Sequence, residues 1–510
     1  MGERYDAVVV GGGHNGLVAG ITLARAGRSV LVCEANGRLG GAVATEELTL
    51  PGFLHDTFSA VHPAAVASPV LSRMPLERYG LEWVHPPVAM AHPFDDGRAA
   101  ALHADLDATA ASLDALAPGD GRAWAERVGP WVDAFDQLRG VMFGAFPPVA
   151  ASVRLLASER VAGSLELLRL VLSPAAALAD ELWRGDPARA WLFGTVLHGD
   201  VAPADAGSAI AGVYLTLMGH VVGWPSPRGG AGRLIDALAG YLHDLGGRTR
   251  ASAPVERVVV RRGRVAGVRL AGGEGIRADT VIASVTPAGL LRLTVDALPP
   301  RYRAQLGRYR RGPGAVKLDW ALSGPVPWAS ALARQAGTVH VGGSSEELTT
   351  ATRQRQAGVL PERPFLLFGQ QSLADPTRAP AGGHTAWAYT RVPAEVDWPS
   401  ETAGFVERME QQVERFAPGF RDRVLARHVL TPPDLEARNV NLEGGDVGGG
   451  SYALDQALLR PVPRLVPYRT PVRGLYLGSA ATFPGGAVHG VPGSAAARVA
   501  LAEAPLRRLW

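Results

Sequence analysis

The chain has 510 residues, of which 47% are hydrophobic and 19% charged, with a formal net charge of +3. That length exceeds what a single hydrophobic core supports, so two domains with interleaved segments are expected. The slight arginine excess is spread along the chain without a dense basic stripe, which argues against a nucleic-acid partner.

The first predicted element is a short buried strand over Asp6 to Val10. A glycine turn follows, then a helix with Leu17, Ile21, Leu23 and Ala24 on one face, then a second strand over Val30 to Cys33. Gly11, Gly13 and Gly16 form GxGxxG at the strand-to-helix junction. In that pattern the first glycine permits the tight turn, the second admits backbone against a pyrophosphate, and the third lets helix pack on strand. A pyrophosphate so placed meets the free N–H groups of the helix start. Glu34 ends the second strand where an acid accepts from a ribose hydroxyl, and its charge opposes a 2′-phosphate. Gly40 and Gly41 follow in RLGGAVATEE. This Glu-then-Gly-Gly order resembles the FAD-binding glutathione-reductase-like flavoproteins, and no second GxGxxG supplies a nicotinamide domain. FAD is therefore the expected cofactor. Cys33 stands alone, so no CxxxxC redox pair, disulfide framework or cysteine-rich metal site is available.

Residues 85–225 read as helical and apolar, with a break at Pro174. Within them SAIAGVYLTLMGHVVGW is apolar nearly all round, with Tyr214, His220 and Trp224 as polar handles, which suits a core helix or the wall of a tunnel for a long apolar ligand. From Pro225 the pattern returns to a glycine loop, a helix and strands, with a turn at Arg262-Gly263-Arg264 and a last strand ending at Ser284. RYRAQLGRYRRG sets arginines beside Tyr302 and Tyr309, as a solvated helix face or a contact for anionic lipid. GPGAVKLDW then holds Lys317, the only lysine of the chain, on a predicted strand where Leu318, Trp320 and Leu322 alternate. Asp446 is expected to order a glycine loop. Near the C-terminus, LYLGSAATFPGGAVHGVPGSAA repeats strand, glycine-rich turn and small-residue helix, and the helix start near Val488 to Gly490 is expected to offer N–H groups to negative charge on a reduced flavin. No HExxH, Cys/His metal spacing, GxSxG or P-loop is present, so no metal is expected. The N-terminus runs into a strand without a secretory pattern, and no run of about twenty apolar residues marks a spanning helix. A cytoplasmic location is expected, at most with peripheral membrane contact.

Taken in order, VVVGGGHNGLVAG, GGAVATEE, PGFLHDT, PSPRGGAGRL, LEGGDVGGGSYALDQALLRP and LYLGSAATFPGGAVHGVPGSAA resemble the phytoene desaturase and phytoene dehydrogenase-related family. GGDVGG followed by LDQ and RP favours its pyridine nucleotide-disulphide oxidoreductase domain-containing branch. The resemblance implies an α/β fold: a glutathione-reductase-like FAD-binding Rossmann domain assembled from discontinuous segments, with an inserted α+β substrate domain in the amine oxidase/phytoene desaturase topology. Residues 1–85, 225–300 and 445–510 are expected to form the FAD domain, and 86–224 and 301–444 the substrate domain. The cofactor residues it implies are Gly11, Gly13, Asn15, Gly16, Glu34, Ala35, Gly40, Gly41, Val255 over the adenine, Gly478, Ser479, Val488 and His489. His55 and Asp56 lie where the family's chain skirts the isoalloxazine, and Asp56, His62 and His489 are acid/base candidates. Two positions depart from the desaturases: Phe483 where they usually carry His, and His489 where they carry Pro. In flavin amine oxidases, a neighbouring family, a G-x-x-K strand carries a lysine that holds a water against flavin N5. Gly314 and Lys317 look like that strand, and a compact ammonium with three donors suits the role where a planar guanidinium does not.

The expected activity is transfer of a hydride from a mostly apolar organic substrate to flavin N5, with oxygen or a quinone as acceptor. Three competitors stand beside it: an amine oxidase on a small polar substrate, a redox-neutral isomerase or saturase, and a non-catalytic flavin-stabilised binding protein. The oligomeric state stays open.

Overall fold

The computed structural model describes residues 3–144, 146–295 and 297–504, so the last residues assigned to the FAD domain, 505–510, lie outside the described residues. Two seven-stranded sheets organise the chain. In the first, Arg248–Arg250, Val30–Cys33, Arg4–Val10, Gly275–Ala283 and Leu475–Leu477 run parallel in that spatial order. The hairpin Val255–Arg261 and Arg264–Leu270, joined at the predicted turn, pairs antiparallel with the first half of Gly275–Ala283. Parallel strands covered on both faces need near-continuous apolar runs, and Val8, Val9 and Val10 supply one.

The carboxyl ends of these strands share one edge. Gly11 N donates to Cys33 O (2.8 Å), Ser284 N to Val10 O (2.8 Å) and Gly478 N to Ala283 O (2.9 Å). The turns that follow Val30–Cys33, Arg4–Val10, Gly275–Ala283 and Leu475–Leu477 therefore open on the same side, where ligands of such sheets bind. Helix His14–Ala24 is almost wholly buried between this sheet and the helices Gly232–Asp244 and Val491–Glu503.

The second sheet has the order Val424–Leu430, Gly314–Leu322, His384–Val392, Leu366–Gly369, Ala336–Val341, Val88–Pro93, Ala99–Leu102. Side chains alternate across a strand. On one face Leu318, Trp320 and Leu322, as predicted, pack against Phe405 and Met409 of helix Trp398–Phe416. The other face carries two transverse rows set by register: Lys317, Tyr389, Leu367 and His340 in one, Asp319, Trp387, Gly369 and Thr338 in the next. Above them lies a helical layer that includes Phe135–Met142, Val149–Leu172, Asp186–His198 and Ser208–Val222. The predicted break appears as Ser173 and Pro174 between Val149–Leu172 and Ala175–Leu182.

The arginines of RYRAQLGRYRRG, Arg301, Arg308, Arg310 and Arg311, lie exposed as a solvated face, while the tyrosines beside them turn inward: Tyr302 of helix Pro300–Leu306 is buried, and the Tyr309 hydroxyl donates to Gly449 O at 2.6 Å.

Candidate active site

A single cavity of about 1430 Å³ starts at the shared edge of the first sheet and continues between the second sheet and the helical layer. Its first end is built from the glycine motif. Gly11 takes φ +101°, which L side chains avoid, and a Cβ on Gly16 would meet Gly11 O at 1.9 Å. Glu34 is buried; its Oε2 accepts from Gly12 N at 2.7 Å and its Oε1 from Asn36 N at 2.9 Å. Each carboxylate oxygen keeps a second lone pair, so the acid is pinned by main chain and still able to accept ribose hydroxyls. Asn15, Ala35, Gly41, Val255, Ser479, Val488 and His489 line the same space. Gly16, Gly40 and Gly478 do not; they act as close-packing points, Gly40 through its N–H to Gly12 O at 3.0 Å.

This end fits a flavin dinucleotide. Asn15 Oδ1 and His14 Nε2 are buried without a hydrogen-bond partner among the described residues, and both residues line the cavity. Main-chain N–H groups of Val488 and His489 find no acceptor among the described residues and line it too. Unpartnered main-chain donors beside an unpartnered amide oxygen at a buried wall call for a ligand that both accepts and donates hydrogen bonds. Within the C-terminal helix itself the first N–H, on Val491, is taken by His489 Nδ1 at 3.2 Å and Pro492 has none, so the N–H groups left for a ligand are those of the residues just before it.

Comparison with known proteins decides the assignment. The family model described as "Flavin containing amine oxidoreductase" matches residues 16–500. The chain belongs to this family. It is similar to pyridine nucleotide-disulfide oxidoreductase domain-containing protein 2 of Mus musculus, 29% identical over 97% of this chain and 93% of that one. It is also similar to hydroxyneurosporene desaturase of Cereibacter sphaeroides, 28% identical over 98% of this chain and 97% of that one. Among solved structures, an oxidoreductase from Methanosarcina mazei matches the fold with a TM-score of 0.66 at 17% identity, covering 97% of this chain and 99% of that chain. The protein is an FAD-dependent oxidoreductase of the flavin containing amine oxidoreductase family.

In this flavin oxidoreductase Lys317 lines the cavity from the second sheet and is 3% exposed. Its ammonium donates to both carboxylate oxygens of Asp319, which leaves one of three N–H groups for the cavity. The Trp387 ring lies 5.8 Å from Nζ, and Trp387 and Tyr389 stack at 6.0 Å and 8°. Asp319 was not anticipated, though its place two residues along a strand was a usable signal. Trp387 and Tyr389 reach Lys317 only through strand pairing across some seventy residues, which no local pattern reveals.

The acid/base candidates fare differently. Asp56 does not line the cavity: its carboxylate is committed to Arg378 (3.0 Å), Thr45 Oγ1 (2.7 Å) and Ala231 N (2.7 Å). His55 likewise stays outside, its Nδ1 3.6 Å from Asp319 and its Nε2 2.8 Å from Thr49 Oγ1. His489 lines the cavity, but Nε2 donates to Gly486 O at 2.8 Å while Nδ1 accepts from Val491 N, so both nitrogens are engaged in one neutral tautomer. Burial holds its pKa down at about 4. His62 keeps an unpartnered Nδ1 at the wall with Nε2 3.2 Å from Ser59 Oγ, and burial lowers its pKa to about 4. Asp446 orders its loop as expected, accepting from Gly312 N, Gly448 N and Gly450 N at 2.7 to 2.8 Å. The arginine of the RP motif, Arg460, is buried and donates to Tyr309 Oη and Gly449 O, tying the same loop down.

Proposed function

We propose that this FAD-dependent oxidoreductase takes a hydride from a mostly apolar organic substrate lying between the helical layer and the second sheet, with oxygen or a quinone as the final acceptor. The observation that carries the reading is the cavity itself. Its volume of about 1430 Å³ exceeds the roughly 300–1,000 Å³ of a single small-ligand pocket, which leaves room for a second occupant beside the dinucleotide. Beyond the glycine cradle its ceiling is apolar, with Met142, Phe143, Ile210, Leu215 and Met218. FAD supplies two-electron hydride acceptance when bound. Asn15, Glu34, Val255, Ser479 and the N–H groups of Val488 and His489 are the residues proposed to hold it. Lys317 presents its remaining N–H to the cavity and is proposed to hold a water or a substrate atom there, with Asp319 fixing the ammonium.

Release of bound molecules by denaturing the purified protein, followed by mass spectrometry, tests this. FAD with a long apolar compound supports it; FAD with a small polar amine moves the substrate to the second reading. That second reading, a small amine, is favoured by the stacked Trp387 and Tyr389 beside Lys317. Anaerobic bleaching of the flavin by a short aliphatic diamine, and not by an isoprenoid, would establish it.

Peripheral membrane contact belongs to the same proposal. No helix among the described residues is long and apolar enough to cross a membrane. Helix Val149–Leu172 nonetheless exposes Val149, Val153, Leu165, Leu168 and Leu172, and Leu458 and Leu459 are both exposed and part of the cavity wall. An apolar surface beside a cavity rim suits a substrate drawn from lipid. Co-sedimentation with phosphatidylglycerol-containing vesicles, lost on replacing Leu165 and Leu168 by Ser, is the expected result.

A further inference from the structure

The cavity wall carries a carboxylate oxygen that no donor among the described residues satisfies. Asp200 follows helix Asp186–His198 and sits at φ +64°, a left-handed conformation that few residues besides glycine, asparagine and aspartate adopt. It belongs to the helical layer. Arg391 comes from the opposite wall, on strand His384–Val392, two residues beyond Tyr389 and therefore on the same face. Both residues line the cavity, with side chains 10% and 11% exposed. Arg391 Nε donates to Asp200 Oδ1, and Nη2 lies against the same oxygen. The guanidinium is steadied by the Tyr389 ring, whose centre lies 5.0 Å away. Asp200 Oδ2 accepts no hydrogen bond among the described residues.

This free oxygen stands where the two ends of the cavity join. A Cβ on Gly448 would come 2.7 Å from it, so the loop that Asp446 orders reaches Asp200 only with glycine there. Gly448 O in turn lies against Gly486, where a Cβ would meet it at 2.2 Å, and Gly486 leads into the Val488 and His489 N–H groups of the cofactor end. On the other side, a Cβ on Gly199 would meet Leu215 at 3.4 Å and Ala211 at 3.8 Å, both on the apolar ceiling.

Burial raises the pKa of Asp200, and the guanidinium on Oδ1 works against that rise and favours the ionised form. An ionised carboxylate only accepts, so the chemistry of Oδ2 is fixed without any choice of tautomer. Left unpaired in a half-buried wall it is costly, and the group it lacks is a donor. A neutral donor fits better than a cation. Arg391 already matches the charge of Asp200, Arg355 adds positive charge beside it, and Asp446, the other carboxylate beside it, is spent on three main-chain N–H groups. An ammonium would leave a cation unmatched in the interior, whereas a hydroxyl would not.

We propose that Asp200 is a specificity-determining residue whose free oxygen receives the hydroxyl group of an otherwise apolar substrate, where the apolar chamber meets the cofactor end. Arg391 holds the carboxylate in place. The inference rests on the reading that the apolar part of the cavity is the substrate site, and it adds the polar group that the substrate carries.

The oxidised holoprotein, its flavin content checked by absorbance, is titrated by calorimetry with 2-methyl-2-octanol and with 2-nonanone. The two have equal numbers of carbon atoms, and in neither does the oxygen-bearing carbon hold a hydrogen that could leave as hydride. Both accept hydrogen bonds and only the alcohol donates one. The alcohol is expected to bind at least about tenfold more tightly, the scale of one hydrogen bond to a charged group. In Asp200→Asn the amide keeps an oxygen for Arg391 and turns the free acceptor into a donor, so the preference is expected to vanish or reverse. A mere loss of packing would weaken both ligands alike and leave their ratio unchanged. Equal affinities in the parental protein, a preference for the ketone there, or an alcohol preference that survives Asp200→Asn overturns the inference and leaves the apolar chamber standing. Binding of neither compound overturns the chamber reading and the inference with it. Should Asp200→Asn fail to fold, the parental ratio decides alone.

Discussion

Lys317 and Asp319 stand two residues apart on one face of a strand buried along its whole length, and the ammonium donates to both carboxylate oxygens. Asp319 is fully buried, and burial pushes its carboxyl up to about 6 even beside the lysine. A buried charge pair of this kind is costly to assemble and is a weak source of net stability. Its place on a cavity wall, with a third N–H left over, points instead to use. An arginine in the same place would present a planar fork, and the proposed role would account for an arginine-rich chain keeping its single lysine here.

Lys317→Met is expected to slow flavin reduction or reoxidation at least about tenfold, the scale of one lost charge-assisted hydrogen bond, with FAD retained. Stopped-flow absorbance of the two half-reactions separates the steps. Unchanged rates in both would remove Lys317 from the mechanism.

The two halves of the pair should be unequal in stability. Asp319→Asn strands an ammonium in the interior, which costs about 3–5 kcal/mol. Lys317→Met strands a carboxyl whose pKa burial already raises and which the loss of the ammonium raises further, so it readily takes a proton, and the cost is smaller and shrinks as the pH falls. Denaturant titrations at pH 5.5 and pH 7.5 measure both variants. Equal costs at both pH values would show that the pair is not the isolated unit described.

Much of the cofactor end is local in sequence and was legible there. Gly11, Gly16 and Glu34 fall within 24 consecutive residues, and their spacing encodes turn, helix contact and strand end directly. The lysine strand was legible for the same reason, since alternation is a local property. The partners across the cavity were not. Tyr389 meets Lys317, and Arg391 meets Asp200, only because segments far apart in the chain are brought together. Asp56 and His489 misled in the opposite way. Polar residues beside a predicted flavin look reactive, but Asp56 holds Arg378 and His489 caps the C-terminal helix.

Gly16→Ala tests the cradle. Its Cβ would sit 1.9 Å from Gly11 O, so the helix must move away from the turn that faces the dinucleotide. The expected outcome is purified protein with most of its flavin absorbance lost. Gly272→Ala, where a Cβ meets nothing within 4 Å, is expected to keep the parental ratio of flavin to protein. Equal flavin content in the two variants would separate the glycine motif from cofactor binding.

Acid should unfold this protein from its cavity outward. Burial lowers the pKa of His14 to about 3 and of His62 and His489 to about 4, against about 6.5 in an unfolded chain. Between about pH 4 and 6.5 the unfolded chain therefore binds more protons than the folded one, and stability rises with pH across that window. It is lost as the pH falls from 6.5. Asp319, Asp120 and Asp200 act with the opposite sign, since burial raises their pKa values and favours the folded state at low pH, but burial also lowers those of His55, His92, His198, His220 and His340, so the histidines outnumber them. Thermal unfolding of the holoprotein between pH 4.5 and 7.5 is expected to show a melting temperature that drops steadily below pH 6.5. His62→Gln, which removes one of these histidines without adding a charge, should flatten the drop. A melting temperature independent of pH over that range would mean that these histidines are hydrated and titrate normally.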